Sequence, residues 1–431
     1  MSSLSFDTNL IHEINLQPPT PTSQPPDLQN VNVNFSLTAD CKNSDLIMNN
    51  INPKALLSRG SLAMQKKICR DKRQLKPLLM HLVRMGSFQS LHLRIPSARS
   101  PSVDGLESLN LNSFESVEEL LQYCLKQCQI TSSCIPLPSR KFLHISKSEE
   151  NKKETSQLTV MQWNILSQAI GYNCDRFETC SEADLQWQSR KWKILYEIVQ
   201  YLPLDIICLQ EVDHFWFLES MLKPVGYEGK FIPKPDSPCY YLEGNTGPDG
   251  CAIFYNRSRF TLLSTSSRVI QVYDCPSNQV ILICKFKCKF SDKVICVSST
   301  HLKARKGPIL SCLRDEQGKD ILNQLQSECG SIPTILAGDF NADPSEPVYK
   351  TMRAKFSSAY CEALGEEPSF TNWTKREKEE ETKQTLDYIF FTREHFKVQS
   401  VLDLQEGLRQ PIPNSQYPSD HLSLIASFTM C

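Results

Sequence analysis

The 431-residue chain has almost no net charge: 47 Lys and Arg stand against 48 Asp and Glu, a formal −1 at pH 7. A nearly neutral molecule lacks the basic face that draws long polyanions from a distance, so a phosphate-bearing partner must be held by local charges. No run of about eighteen apolar residues exists, which excludes a transmembrane helix. No secretory leader is visible either, because the first thirty residues hold Asp7, Glu13 and Asp27 and no apolar core. The eighteen cysteines therefore read as reduced thiols, as in a cytoplasmic protein. Cys124, Cys128 and Cys134, or Cys275, Cys284, Cys288 and Cys296, come nearest to a zinc pattern, but both lack the paired two-residue spacing of such sites.

What is present is organised unevenly. With 40% hydrophobic residues the chain can form a large core and still carry a tail. Residues 1 to about 60 are rich in Pro, Ser, Asn and Thr, with Pro18, Pro19, Pro21, Pro25 and Pro26 crowded together. Such a segment buries too little apolar surface to offset its chain entropy. Lys66, Lys67, Arg70, Lys72, Arg73 and Lys76 then form a basic stretch that runs into Leu78, Leu79, Met80, Leu82 and Val83. It reads as a solvated linker or as a segment able to contact an acidic membrane surface. Residues 1–110 are thus expected to be a disordered, partly basic tail. Inside it, Met85-Gly86-Ser87-Phe88-Gln89-Ser90 has the form of a myristoylation signal, inert while internal. Only a form begun at Met85 would expose it, and such a form could differ in location, mitochondria included.

Ser116 and Glu119 make a capping box before Val117, Leu120, Leu121 and Leu125, predicting a helix to about Gln129 that Pro136 and Pro138 stop. Residues 111–157 read as this helical segment and a linker, and alternation at Leu158, Val160 and Gln162 opens a domain over 158–431. There the period switches repeatedly between two and 3.6. Trp192, Leu195, Val199 and Leu202 mark a helix face, and Asp205 to Gln210 a buried strand. Further strands are expected at 251–255, 280–290, 294–300, 334–337, 386–391 and 422–428, with a hairpin turn at Ser291-Asp292. Strands mixed with helices give an α+β class of two packed sheets flanked by helices.

Polar side chains recur at the edges of these apolar runs, where burial is costly unless they serve one another or a ligand. Glu211 follows Ile206, Ile207 and Leu209; it suits either a ligand for a hard cation or a cap on the next turn. Asn164 ends the first strand and suits either a phosphate contact or an Asx turn. Asp339 and Asn341 flank Phe340, so an extended backbone would aim both at one side with the ring in the core. His301 and His421 each suit a satisfied, partly buried imidazole when taken singly. Asp387, on a short apolar strand, needs a partner, and His421 is the one assigned to it, since a carboxylate fixes the imidazole tautomer and raises its basicity. Asp420 is placed for a water-mediated metal contact.

In this order the islands resemble the endonuclease/exonuclease/phosphatase superfamily, over roughly residues 158–431. The matching phrases are Met161-Gln162-Trp163-Asn164-Ile165-Leu166, Leu209-Gln210-Glu211-Val212-Asp213-His214, Gly247-Pro248-Asp249-Gly250-Cys251-Ala252, Thr300-His301-Leu302-Lys303-Ala304-Arg305 and Tyr417-Pro418-Ser419-Asp420-His421-Leu422-Ser423-Leu424. The resemblance implies a four-layer α/β/β/α (DNase-like) sandwich and Mg2+ held chiefly by Glu211. It further implies a scissile phosphate contacted by Asn164, His301, Asn341 and His421, and water activated by Asp339 or by the Asp387-His421 pair.

The same resemblance bears on substrate. Poly(A)-removing relatives carry an acidic, aromatic-bearing segment after the position of His301, whereas here Lys303, Arg305 and Lys306 follow. Three cations beside a phosphate site would clamp a second, compact polyphosphate group. Lys234 and Arg376 match further basic positions of a branch that removes the 2′-phosphate from NADP and NADPH. The expectation is a monomeric NADP(H) 2′-phosphatase, with a poly(A)-specific 3′-exoribonuclease ranked second. RNA ranks lower because no leucine-rich repeat precedes residue 158. A non-catalytic scaffold ranks third, since unused buried charges would be destabilising.

Overall fold

The computed structural model describes residues 62–84, 114–132, 135–145, 157–404 and 407–431. The Pro-rich segment and the Met85 pattern lie outside them. Among the described residues the strands are, in chain order, β1 Phe142–His144, β2 Gln157–Asn164, β3 Ile206–Gln210, β4 Tyr227–Pro233 and β5 Gly250–Asn256. They continue with β6 Phe260–Val272, β7 Cys275–Cys288, β8 Val294–His301, β9 Thr334–Asp339 and β10 Ser357–Ser358. The last are β11 Asn372–Thr374, β12 Thr382–Gln384, β13 Asp387–Phe391, β14 Phe396–Leu402 and β15 Leu424–Met430.

One sheet has the order β1-β14-β15-β2-β3-β5-β4 and the other β10-β13-β9-β8-β7-β6. Val160 and Leu209 of the first share a buried cluster with Val297, Ile335 and Ile389 of the second, so the sheets face one another. The expected hairpin is present as β7 and β8, antiparallel, with Asp292 in the left-handed region at φ 58°. Outside the first sheet lies helix Trp187–Val199; outside the second lies helix Pro308–Cys329, whose Ile321 and Leu325 pack with Val348 and Met352 of helix Pro347–Arg353. The result is the four-layer sandwich. β2 and β3 pair in parallel in one sheet and β8 and β9 in the other, so the C-terminal ends of four strands open at the same edge of the sandwich.

Three expectations change. The basic stretch forms helices Leu62–Arg70 and Lys72–Arg84 rather than a linker. Leu75, Leu78, Leu79 and Leu82 recur at helical spacing and are buried, while Lys66, Lys67, Arg70, Lys72 and Arg73 stay exposed. The apolar half of the stretch is therefore committed to the protein, and Lys76 lies over the Tyr273 ring, 5.3 Å from its centroid. The helix begun by Ser116, whose Oγ accepts from Glu119 N at 3.1 Å, runs over Val117–Ser132 and buries Leu120, Cys124 and Cys128.

The third change is the domain boundary. Residues 135–145 belong to the domain: β1 is the edge strand beside β14, and Arg140 is driven into the core. Its Nη2 pairs with Glu197 Oε1 at 2.8 Å and donates to Ser423 O at 3.1 Å and to Ser423 Oγ at 2.6 Å. Arg140→Ala would leave Glu197 buried with its main cation gone, and we expect a loss of about 3–5 kcal/mol of stability. Urea unfolding checks this; a loss near zero would mean that the segment docks without supporting the core.

Candidate active site

Strand register builds the site. His301 ends β8 opposite Asp339 at the end of β9, and Asp387 at the start of β13 faces Asp339 from the other side. Gly338 permits this closeness, since a Cβ there would lie 2.4 Å from Thr300 O. Across the sandwich, Asn164 ends β2 beside Gln210 of β3, and Glu211 turns out of β3 at φ 56°. The ends of the parallel pair β2 and β3 thus face those of the parallel pair β8 and β9, with β13 beside β9, over a shared crevice.

Direct contacts join all seven expected central residues. Asn164 Nδ2 donates to Glu211 Oε1 at 3.1 Å and to Asp339 Oδ2 at 2.9 Å, bridging the two sheets. Asp339 Oδ2 lies 3.5 Å from His301 Nε2 and 3.7 Å from His421 Nε2. Asn341 Nδ2 is 2.9 Å from His301 Nε2. The backbone at Asn341 is left-handed, at φ 49°, with its N–H donating to Asp339 Oδ1 at 2.8 Å. A turn, not the expected extended strand, therefore sets Asn341 beside Asp339, while Phe340 is buried as expected. Asp387 and His421 pair as expected, Oδ2 to Nδ1 at 2.8 Å.

The charges are tuned by one another. Burial, the largest influence, pushes Asp339 up to about 7; His421 opposes this and Asp387 adds to it. Burial raises Glu211 as well, with Lys234 opposing and Asp249 and Asp420 adding. Burial disfavours the His421 imidazolium, but Asp387, Asp339 and Asp420 outweigh it and hold the ring well above its ordinary range. His301 moves the other way, well below its ordinary value, through burial, Lys234, His421 and Lys303. One histidine is thus a cation surrounded by carboxylates and the other a neutral ring beside a lysine.

Two groupings can hold a divalent cation. Asp339, Asp387 and His421 offer atoms within 4.8 Å of one another. Yet the Asp387 oxygens already accept from Gln162 Nε2 at 3.0 Å, Thr371 Oγ1 at 2.6 Å and His421, which suits a proton relay better than a metal cage. Glu211 stands outside that trio and is linked to it through Asn164. It lines the crevice half-buried, and both Glu211 and Asp339 are shifted up, by burial first and by neighbouring carboxylates after it, so a cation there would favour their charged forms. Hard oxygens with surplus negative charge fit Mg2+.

The four expected substrate cations divide into two kinds. Lys234 is buried and paired, its Nζ 2.5 Å from Asp249 Oδ2 and 3.3 Å from His301 Nδ1. Arg376 is tied to Asp420 at 2.9 Å and to Asp175 at 3.4 Å. Both are thus occupied in shaping the wall of the crevice. Lys303 and Arg305 make no ion pair among the described residues, and Arg305 is exposed. Burial, with Arg305 and Lys234 beside it, lowers the Lys303 ammonium to about 8.

Sequence reading missed the supporting groups. Gln162 and Thr371 hold Asp387, Asp249 holds Lys234, and Asp175 faces Arg376. Arg190 joins two active-site loops by donating to Ile165 O at 2.7 Å and to Pro418 O at 2.9 Å. The signal for Gln162 and Arg190 was present: a polar residue at an inward position of an apolar strand, and a cation on the buried face of a helix.

Residues 161–421 match the Endonuclease/Exonuclease/phosphatase family. Nocturnin of Drosophila melanogaster is 38% identical over 409 residues, 82% of this chain and 62% of that protein. Nocturnin of Xenopus laevis is 36% identical over 355 residues, 79% of this chain and 90% of that protein. The human Nocturnin catalytic domain with bound sulfate anion superposes with a TM-score of 0.57 at 38% identity, over 68% of this chain and 97% of that one. The alignment thus spans less than two thirds of the fly relative's length.

Proposed function

The chain belongs to the endonuclease/exonuclease/phosphatase family, and within it to the nocturnins; from that premise we propose that it is a Mg2+-dependent phosphatase that removes the 2′-phosphate of NADP and NADPH. The observation that carries the substrate is the arm after β8: Lys303 and Arg305, without ion-pair partners among the described residues, stand beside the polar cluster, where Lys303 acts on His301. Cations left unpaired next to a catalytic cluster suit the diphosphate of a dinucleotide, with Arg305 gripping it in bidentate fashion. A sulfate bound to the human relative has the shape and charge of a phosphate monoester.

Glu211 would hold Mg2+, which supplies neutralisation of the phosphate's charge. Asn164, donating to Glu211 and Asp339, orients both carboxylates toward the crevice. Neutral His301 and cationic His421 flank Asp339 and face a scissile phosphate with donors, while Asp339, raised to about 7, takes the proton of the attacking water. His421, held by Asp387, meets the negative charge that develops as the ester bond breaks.

Two tests follow from the arm. Arg305→Ala is expected to raise the Michaelis constant for NADPH by about ten- to a hundredfold, the loss of a charge-assisted bond of roughly 1.5–3 kcal/mol. Hydrolysis of a small aryl phosphate, too short to reach the arm, should stay within about twofold. Equal losses on both substrates would place Arg305 at the reacting centre or in the fold. Because Lys303 titrates near 8 in the free enzyme, its charge is lost as pH rises, so kcat/KM for NADPH should fall above about pH 8 while the aryl phosphate shows no such limb. Lys303→Arg should abolish the limb; its persistence in that variant would assign it to another group.

A further inference from the structure

Helix Leu62–Arg70 lies against helix Pro308–Cys329, the helix that carries the substrate arm. Arg314 Nη1 of that helix donates to Lys303 O at 2.9 Å and to Arg305 O at 2.7 Å, and Gln317 Oε1 accepts from Lys303 N at 3.1 Å. Gln65 reaches the start of the same helix, its Oε1 3.5 Å from the position a Cβ on Gly307 would take. Cys69 lies four residues on from Gln65 and Cys312 five on from Gly307, so the two thiols neighbour one another across the helix contact, close enough for each to shift the other's ionisation. Both are free and partly exposed.

We propose that Cys69 and Cys312 are a redox-sensitive crosslinking pair that fastens the N-terminal helix pair to the helix behind Lys303 and Arg305. With Cys312 beside it the Cys69 thiol is shifted down and Cys312 is shifted up, which makes Cys69 the readier attacking sulfur. The oxidant is a low-molecular-weight disulfide such as glutathione disulfide. Cys69 thiolate attacks one of its sulfurs, forming a mixed disulfide and expelling one glutathione thiolate. Cys312 then loses its proton and attacks the Cys69 sulfur, expelling the second glutathione. Two protein thiols are oxidised by two electrons, and one glutathione disulfide is reduced to two glutathiones.

The protein supplies its own control. Cys296 and Cys329 also neighbour one another, but both are buried in the core of the second sheet and its helices, where a peptide-sized oxidant has no approach. Oxidation of the folded chain is therefore ordered, surface pair first. The crosslink closes a loop of more than two hundred residues and removes much of the freedom of the unfolded chain. It stands whether or not the dinucleotide is the substrate.

The full-length protein, kept native, is incubated with glutathione disulfide, alkylated, digested without reductant and analysed by mass spectrometry. The expected result is a linked Cys69–Cys312 peptide that disappears on return to excess glutathione, with Cys296 and Cys329 alkylated. The oxidised protein should melt at least about 3 °C higher than the reduced one. In Cys312→Ser the expected product is a stable Cys69–glutathione adduct, with reduced-state activity and melting temperature unchanged. No linked peptide in the native protein, equal linkage of Cys296 to Cys329, or the same heat stability in both redox states would overturn the proposal.

Discussion

Glu211→Ala is expected to lower turnover about a thousandfold, because several kcal/mol of phosphate charge neutralisation depend on the cation that this carboxylate holds. The fold should survive. Glu211 lies in the turn after β3, outside the apolar clusters, and among the described residues its oxygens accept from Asn164 Nδ2 and Ser167 N alone. Removing it also lifts negative charge that Asp249 and Asp420 oppose. The variant should therefore melt at or near the wild-type temperature without metal, while the upward shift that Mg2+ gives the wild type shrinks or vanishes, since a ligand stabilises only the state that binds it. Thermal melts with and without Mg2+, run beside turnover, separate the two effects. Near-normal turnover at ordinary Mg2+ would move the metal to the Asp339, Asp387 and His421 trio.

Asp387→Asn is the second large change. Asp387 accepts hydrogen bonds from Gln162, Thr371 and His421 Nδ1, so its carboxylate fixes the tautomer that leaves His421 Nε2 pointing at the crevice. An amide offers one acceptor where three donors converge, and it withdraws the charge that keeps His421 cationic. A loss of about a thousand- to ten-thousandfold in kcat is expected, the scale seen when a carboxylate that orients a catalytic imidazole becomes an amide. KM should change little, because Lys303 and Arg305 are untouched. The pH profile distinguishes this from mere misfolding: the basic limb belonging to His421 should move to lower pH, since the neighbour that favours its charged form is gone. An unchanged limb together with lowered kcat would reduce Asp387 to a structural role.

Much of this centre was legible in the sequence because it sits where chain physics is simplest. Asn164, Glu211, His301 and Asp339 are polar residues at the last position of an apolar run or just beyond it, and parallel pairing brings such ends to one edge. The Asp387–His421 pair followed from the need of a buried carboxylate for a partner. What was hidden depends on long-range registry. Asp249 takes up the charge of Lys234 and Asp420 that of Arg376, so two cations expected to meet substrate are held by the protein itself. Arg140 looked like part of a linker because its partners, Glu197 and Ser423, are distant in sequence. The Leu75, Leu78, Leu79 and Leu82 stripe was visible at helical spacing, but the cations around it carried more weight than a face without an evident partner.

The central claim is that the arm after His301 selects a compact, phosphate-rich dinucleotide over a polymer. It is tested most directly by giving the purified protein and Mg2+ either NADPH or a poly(A) oligonucleotide, with released phosphate measured in one case and chain length in the other. The prediction is stoichiometric phosphate and NADH from NADPH, abolished by chelation and by Glu211→Ala, with the oligonucleotide left at full length. Shortened poly(A) at catalytic enzyme concentrations, with no phosphate from NADPH, would contradict it and make the same metal site that of an exoribonuclease.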